Sequence, residues 1–245
     1  MQGDDLTESE AQTADPFRNV KLHWHRLRKT PRITRDGITL NSDGSQSPTV
    51  RNGLYKGGYE AAERILLKKY LRPGQRALEV GAGIGFVGLL AARIAGAGNV
   101  VSYEANPELE PVIRANYALN SPVPELRMRA VTTNGKPVTF HQSDNVVSSS
   151  LYDRPECDRK IEVQSDALAD VVAEFQPDML ILDVEGYEVD LLANPPDGPA
   201  ALLVELHPHV VGGEKIEAML QTLDAGGIHI VERRGSNVLL RRTGT

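Results

Sequence analysis

The chain has 245 residues, of which 40% are hydrophobic and 24% charged, so it can bury a core of ordinary size. Its net charge of −6 and its single cysteine argue against a general nucleic-acid binder, a disulfide scaffold and a cysteine–zinc module. No stretch approaches the roughly 18 apolar residues that span a bilayer, and the acidic N-terminus lacks an apolar signal core, so we expect a cytoplasmic protein without a membrane partner.

Residues 1–50 are predicted to form an appendage in three parts. Residues 1–15 are acidic without a base, which is typical of a solvated tail. The segment Arg18–Arg35 carries only basic charges and suits either solvent or an anionic substrate. Ile33–Leu40 is predicted to form a small hairpin or lid that turns at Asp36-Gly37. A loop rich in Ser, Asn and Gly is predicted from there to about Gly58.

From Tyr59 onward the apolar pattern alternates between helix and strand periods, beginning with a helix over Tyr59–Tyr70. This alternation predicts a parallel sheet covered on both faces. Ile228–Glu232 and Val238–Arg241 are too close in sequence for a parallel crossover, so these last two strands are predicted to be antiparallel. The other predicted strands are Ala77–Val80, Val100–Tyr103, Leu126–Val131, Met179–Asp183 and Leu202–Leu206, and the helices are Phe86–Ala97, Pro107–Asn120, Ala167–Phe175 and Glu214–Ala225.

The segment Leu78–Gly88 is the most informative, because a strand there turns into a helix through several glycines. Gly83-x-Gly85-x-x-Gly88 fits a dinucleotide fingerprint, whereas Glu79-x-Gly81-x-Gly83-x-Gly85 fits the motif of S-adenosylmethionine methyltransferases. Glu104 ends the next strand and is placed to bind the ribose of either cofactor. The terminal antiparallel pair, and the lack of room for a second substrate domain, favour the methyltransferase motif.

With these motifs the chain resembles the FkbM-type family of S-adenosylmethionine-dependent methyltransferases over about residues 55 to 210. The most specific part of the resemblance is Leu182–Glu188, after the fourth strand. The resemblance implies an α/β, class I methyltransferase (Rossmann-like) domain over residues 51–245. Its sheet would be mostly parallel, with a terminal antiparallel hairpin and helices on both faces. Further matching stretches are Tyr59-Glu60, Tyr103–Pro107, Arg114–Asn120, Ser148–Leu151, Asp166–Leu168 and Val204–Pro208.

The resemblance also implies a reaction, which is O-methylation of a hydroxyl on a small-molecule or sugar-like acceptor. The cofactor would be S-adenosyl-L-methionine. The residues predicted to bind it are Glu60, Glu79, Gly81, Gly83, Gly85, Glu104 and Asn106.

Three residues are candidates for the chemistry: Asp183 and Glu185 after the fourth strand, and His207 at the end of the fifth. The carboxylates can orient the cofactor's ammonium group, stabilise its charge or accept a proton, or they can cap the following helix. A neutral histidine suits a general base, although a satisfied strand-end histidine is equally compatible. Together with His209 these residues offer metal-ligand atoms, but no metal-site spacing is present and no metal is predicted. Ser148–Ser150 are candidates to line the acceptor pocket.

Two alternative functions remain open. A nucleic-acid methyltransferase could use Arg18–Arg35 on the phosphate backbone, although Asp183-Val184-Glu185-Gly186 stands where amino-directed enzymes carry a proline-rich motif. A non-catalytic module that binds adenosyl ligands would use the same loops. The acidic net charge makes nucleic acid the less favoured partner.

Overall fold

The computed structural model describes residues 18–28, 30–43, 46–143 and 157–244. The predictions for the acidic tail 1–15 and for Ser148–Ser150 lie outside the described residues. Within the described residues no helix is both long and apolar enough to cross a membrane.

The N-terminal part contains helix α1 (Arg18–Arg28), strands β1 (Arg32–Arg35) and β2 (Ile38–Asn41), and helix α2 (Pro48–Lys56). The hairpin is confirmed, and Asp36 and Gly37 both have the positive φ that a type I′ turn requires. The predicted loop through Gly58 is wrong, because α2 occupies most of it. Ser47 caps this helix on the Val50 N–H, Pro48 starts it, and Val50, Leu54 and Tyr55 are buried.

The hairpin packs against the rest of the chain. Ile38 and Leu40 belong to the same buried cluster as the first helices of the α/β unit. Asn116 and Asn120 accept hydrogen bonds from the backbone N–H groups of Asn41 and Thr39, each at 2.9 Å. The hairpin is therefore tied to the helix that follows the second strand of the main sheet.

Strand and helix alternate after the hairpin. The elements are α3 (Ala61–Tyr70), β3 (Ala77–Val80), α4 (Phe86–Ala95), β4 (Val100–Tyr103), a 3₁₀ turn (Pro107–Leu109), α5 (Glu110–Tyr117), β5 (Glu125–Arg127), β6 (Ala130–Thr132), β7 (Val138–Ser143), β8 (Cys157–Val163), β9 (Ser165–Ala167), α6 (Leu168–Phe175), β10 (Met179–Leu182), α7 (Glu188–Leu191), β11 (Ala201–Glu205), α8 (Pro208–Val211), α9 (Gly213–Ala225), β12 (Ile228–Arg234) and β13 (Asn237–Arg242). Seven of the strands form one sheet of order β12-β13-β11-β10-β3-β4-β5. The five strands from β11 to β5 are parallel, and β13 is antiparallel to both β11 and β12. The predicted fold class is confirmed.

The region between β5 and β9 differs from the prediction. Leu126–Val131 was predicted as one strand, but the chain turns at Met128-Arg129 and divides it between β5 and β6, which lie in different sheets. Arg129 donates to Asp166 at 2.9 Å and so holds the start of β6 against β9. The antiparallel pair of β7 and β8 is not predicted from the sequence at all.

Each central strand alternates its side chains between two cores on opposite faces of the sheet. In β10, Met179 and Ile181 pack with α3, α4 and α5, whereas Leu180 and Leu182 pack with α6 and α9. Because β3, β4, β10 and β11 are parallel, the loops that follow them emerge at one edge of the sheet. Open α/β sheets bind their ligands at this edge.

Candidate active site

The glycine loop between β3 and α4 contains glycines with different functions. A Cβ on Gly81, which has φ +95°, would lie 1.7 Å from the Asp183 carbonyl oxygen, so this glycine lets the end of β3 pack against the end of β10. A Cβ on Gly85 would lie 2.7 Å from the Tyr117 ring. Gly83 is different, because its nearest neighbour would be Oε1 of Glu60 at 3.6 Å. Of these three predicted residues, only Gly83 would accept a Cβ without a steric overlap, because that Cβ would lie in ordinary van der Waals contact with Glu60.

Glu104 orders the glycine loop from the end of β4. Its Oε2 accepts the Gly83 N–H at 2.9 Å and its Oε1 accepts the Asn106 N–H at 2.8 Å. Burial raises the pKa of Glu104 to about 7, although these backbone N–H groups act in the opposite direction. Asn106 is itself buried, and its side-chain oxygen accepts the Glu108 N–H at 3.1 Å. Its side chain thus caps the 3₁₀ turn, a role that the resemblance did not imply.

Two further residues predicted to bind the cofactor are Glu79 and Glu60. Glu79 is 1% exposed, and burial raises its pKa to about 7 in spite of the nearby Ser102 hydroxyl and Gly88 N–H. A Cβ on Gly88 would lie 2.3 Å from Oε2 of Glu79, which explains that glycine. Glu60 precedes α3 with φ +48°, and burial together with the Glu63 carboxylate raises its pKa well above its usual range.

A second cluster forms where β10 and β11 end. Nε2 of His207 lies 3.4 Å from Oδ1 of Asp183 and 4.0 Å from Oε2 of Glu185. Enclosure within the cavity, and then the neighbouring Glu205 and Glu185 carboxylates, raise the pKa of Asp183 well above its usual range. The structure therefore brings together the three residues predicted to carry the chemistry. Helix α7 begins at Glu188, and its N-cap residue Tyr187 makes no side-chain cap hydrogen bond.

Glu188 contacts both the backbone and the ring of His207. Its Oε1 accepts the His207 backbone N–H at 2.8 Å and lies 3.3 Å from Nδ1, while its Oε2 accepts the Gly186 N–H at 2.9 Å. This arrangement assigns the ring proton to Nδ1 and leaves Nε2 to face Asp183. Burial lowers the pKa of His207, but the hydrogen bond and negative charge of Glu188, with Glu185, outweigh it and raise that pKa. The sequence gives no sign of this role for Glu188.

Some of the predicted residues line two spaces that share part of their lining. The outer cavity, of ≈370 Å³, is lined by Glu60, Asp183 and Glu185, among others. The inner pocket is more enclosed, and it is lined by Glu60 and Asp183 together with Glu79 and Gly81. Glu104 and Asn106 line neither space. Glu60 and Glu185 are two of the four non-glycine residues with positive φ among those described, and such strained backbone is typical of functional sites. Residues that line these spaces but are not predicted from the sequence include Glu63 and Asn237.

The buried carboxyls predict a pH dependence of folding for the cofactor-free protein. Glu79 and Glu104 have folded-state pKa values of about 7 against an ordinary value of 4.5. Between these values the folded chain binds more protons than the unfolded chain, so this contribution is complete below pH 4.5 and is lost as the pH rises through 7. Together these two groups should lower the free energy of unfolding by roughly 3 kcal/mol between about pH 6 and 8.5.

Urea unfolding at a series of pH values measures this dependence. Glu79→Gln, which cannot ionise, should remove about half of the change. Stability that is independent of pH over this range would show that these carboxyls titrate normally.

Comparison with known proteins identifies the family. Residues 79–232 match the model of the methyltransferase FkbM domain. The chain belongs to the FkbM methyltransferase family. The resemblance predicted from its motifs is thereby confirmed, and this FkbM protein is an S-adenosylmethionine-dependent methyltransferase at the level of its family. Among curated proteins none matches it.

Solved structures similar to this FkbM protein include three methylases or methyltransferases, one of them putative. A methyltransferase from Pyrococcus furiosus is 14% identical, with 92% of this chain and 98% of that chain covered and a TM-score of 0.49. The ribosomal protein L11 methylase of Lactobacillus delbrueckii subsp. bulgaricus is 13% identical, with 76% and 80% covered and a TM-score of 0.45. A putative RNA methyltransferase from Pyrococcus horikoshii is 11% identical, with 78% and 84% covered and a TM-score of 0.47. At these scores the similarities support no conclusion about the acceptor.

Proposed function

We propose that this FkbM protein transfers the methyl group of S-adenosylmethionine to a hydroxyl of a small-molecule or sugar-like acceptor. The observation that carries the proposal is the position of His207. Its Nε2 lies 3.4 Å from Asp183 at the sheet edge that carries the glycine loop, and the carbonyl oxygen of Asp183 packs directly against Gly81. A proton-accepting group therefore stands beside the loop expected to hold the cofactor.

The residues around the loop fit an adenosyl cofactor. Gly83 has no Cβ that would fill the space beside Glu60, so a ligand can approach the backbone there. Glu104 is fixed by two backbone N–H groups and has lone pairs left for ribose hydroxyls. Oε2 of Glu60 is buried without a hydrogen-bond partner, which suits the cofactor's ammonium group. Bound there, S-adenosylmethionine supplies a methyl group activated by its sulfonium.

The chain's own contribution is to position the acceptor and remove its proton. Methyl transfer to oxygen is an in-line displacement that needs no covalent enzyme intermediate, so orientation and proton removal are the tasks left to the protein. The cluster of Asp183, Glu185 and His207 takes up the hydroxyl proton, with Nε2 of His207 as its principal base. Glu188 supports this role because it fixes the ring orientation and stabilises positive charge on the imidazole.

The affinity of a Glu104→Ala variant for S-adenosylhomocysteine tests the cofactor part of the proposal. The substitution removes a charged acceptor for the ribose and releases the Gly83 N–H, so affinity should fall by about 1–3 kcal/mol, or roughly 5- to 150-fold. Glu108→Ala is the matched control, because Glu108 is an exposed acid on the 3₁₀ turn that follows Glu104. An unchanged affinity in Glu104→Ala, measured by calorimetry, would place the ribose contact elsewhere.

A further inference from the structure

Three side chains with metal-ligand chemistry meet where β10 and β11 end. Asp183, Glu205 and His207 each offer one ligand atom, and these atoms lie within 4.8 Å of one another. Oδ1 of Asp183 is 3.4 Å from Nε2 of His207. Two ligands bound about 2.1 Å from one ion at the tetrahedral angle are about 3.4 Å apart, so this pair is already spaced to share an ion.

His207 is held in the way that metal-binding histidines are held. Oε1 of Glu188 lies 3.3 Å from Nδ1 and fixes both the tautomer and the orientation of the ring. A carboxylate on the second ring nitrogen makes the first nitrogen a better ligand. The lone pair of Nε2 then faces an oxygen of Asp183, and two such acceptors repel each other unless a proton or a metal ion lies between them.

A buried acceptor without a partner extends the cluster. Asn237 begins β13 directly opposite Glu205 and is 3% exposed. Its Oδ1 has no hydrogen-bond partner, and the residue lines the inner pocket together with Asp183 and Glu205. Buried carbonyl oxygens nearly always have a partner, so this oxygen indicates a ligand that accepts electron pairs.

All ionisable side chains that line the inner pocket, among the described residues, are acids. Its lining includes five acids, Glu60, Glu63, Glu79, Asp183 and Glu205, and within the described part of the chain no basic residue lines it. Arg234 lines the outer cavity, but its guanidinium pairs with Glu232 at 2.7 Å. A cation is therefore the ligand that this electrostatic environment favours.

We propose that Asp183, Glu205 and His207 bind a divalent metal ion, with Oδ1 of Asn237 as a further oxygen beside it. Mixed carboxylate and imidazole ligands suit ions such as Mn²⁺ or Zn²⁺. The role of the ion rests on the proposed function. The ion would bind the acceptor hydroxyl and lower the pKa of that hydroxyl. Because the ion would occupy the lone pair of His207, Glu185 would replace His207 as the base of the proposed function and take up the hydroxyl proton. Its Oε2 is 4.0 Å from Nε2.

Electron paramagnetic resonance with Mn²⁺ as the probe tests the site on the full chain without cofactor. Metal-free protein should bind one Mn²⁺ per chain, and both His207→Ala and Glu205→Gln should weaken this binding at least tenfold. Glu205→Gln conserves the shape of the side chain, so it remains informative if His207→Ala folds poorly. His209→Ala is the matched control, because His209 is exposed and lies outside the three-residue cluster.

The outcomes separate this inference from the proposed function. Mn²⁺ that stays free at millimolar concentration, or that still binds to both variants, would overturn the metal site. A proton shared by Asp183 and His207 would then be what separates the two acceptors. Calorimetry with S-adenosylhomocysteine on the same metal-free protein tests the cofactor site independently, so the failure of either proposal is recognised separately.

Discussion

Replacing His207 with alanine is expected to lower kcat about 10²- to 10⁴-fold, with little change in the affinity for S-adenosylhomocysteine. The variant loses Nε2, the atom through which the cluster of Asp183, Glu185 and His207 takes up the proton or holds a metal ion. It leaves the glycine loop and Glu104 untouched, because His207 contacts Glu188, Asp183 and Glu185 instead. The expected loss is therefore one of rate and not of cofactor binding.

Steady-state rates with a responsive acceptor, together with calorimetry of the same preparation, measure the two quantities. His209→Ala should retain the wild-type kcat, because its ring lies 5.7 Å from that of His207 and the residue is exposed. Retention of near-wild-type kcat in His207→Ala would remove this histidine from the reaction.

Gly81→Ala and Gly83→Ala are expected to fail in different ways. A Cβ at position 81 would overlap the Asp183 carbonyl oxygen at 1.7 Å, so the loop cannot pack and the free energy of unfolding should fall by about 3 kcal/mol or more. A Cβ at position 83 meets nothing closer than 3.6 Å, and its φ of +56° is a conformation that costs other residues about 1 kcal/mol. Gly83→Ala should therefore fold.

The second variant should instead lose cofactor affinity, by about 100-fold, because its methyl group projects into the space expected to receive the ligand. Urea unfolding and calorimetry on both variants separate the two effects. If Gly83→Ala bound S-adenosylhomocysteine as tightly as the wild type, the cofactor would not approach the backbone at this glycine.

The sheet could be predicted from the sequence because its central strands are short, mostly apolar runs bounded by turn residues. The strand Met179–Leu182 is an example, since all four residues are buried. The antiparallel pairing of β12 and β13 could be predicted because the connection between them is too short for a parallel crossover. Helix α2 is not predicted, because its start lies in a segment rich in Ser, Asn and Gly that favours a loop. Its local signals are the N-cap Ser47 and Pro48 at the first helical position.

The contacts that define the site could not be predicted in this way, because they join residues that only the sheet brings together. Glu188 reaches His207 across 19 residues, from the start of α7 to the segment that follows β11. Asn237 meets Glu205 because β13 pairs antiparallel with β11. The glycines show the same limit. Gly81 and Gly83 belong to one motif, but only the structure shows that a Cβ would overlap the backbone at Gly81 and not at Gly83.

The central claim is that the glycine loop holds S-adenosylmethionine, and calorimetry with S-adenosylhomocysteine and NAD on the wild-type protein tests it most directly. We expect saturable binding of one S-adenosylhomocysteine per chain at micromolar affinity or better, and no saturable binding of NAD. Saturable NAD binding without an S-adenosylhomocysteine signal would contradict the account and would favour the dinucleotide interpretation of the glycine loop.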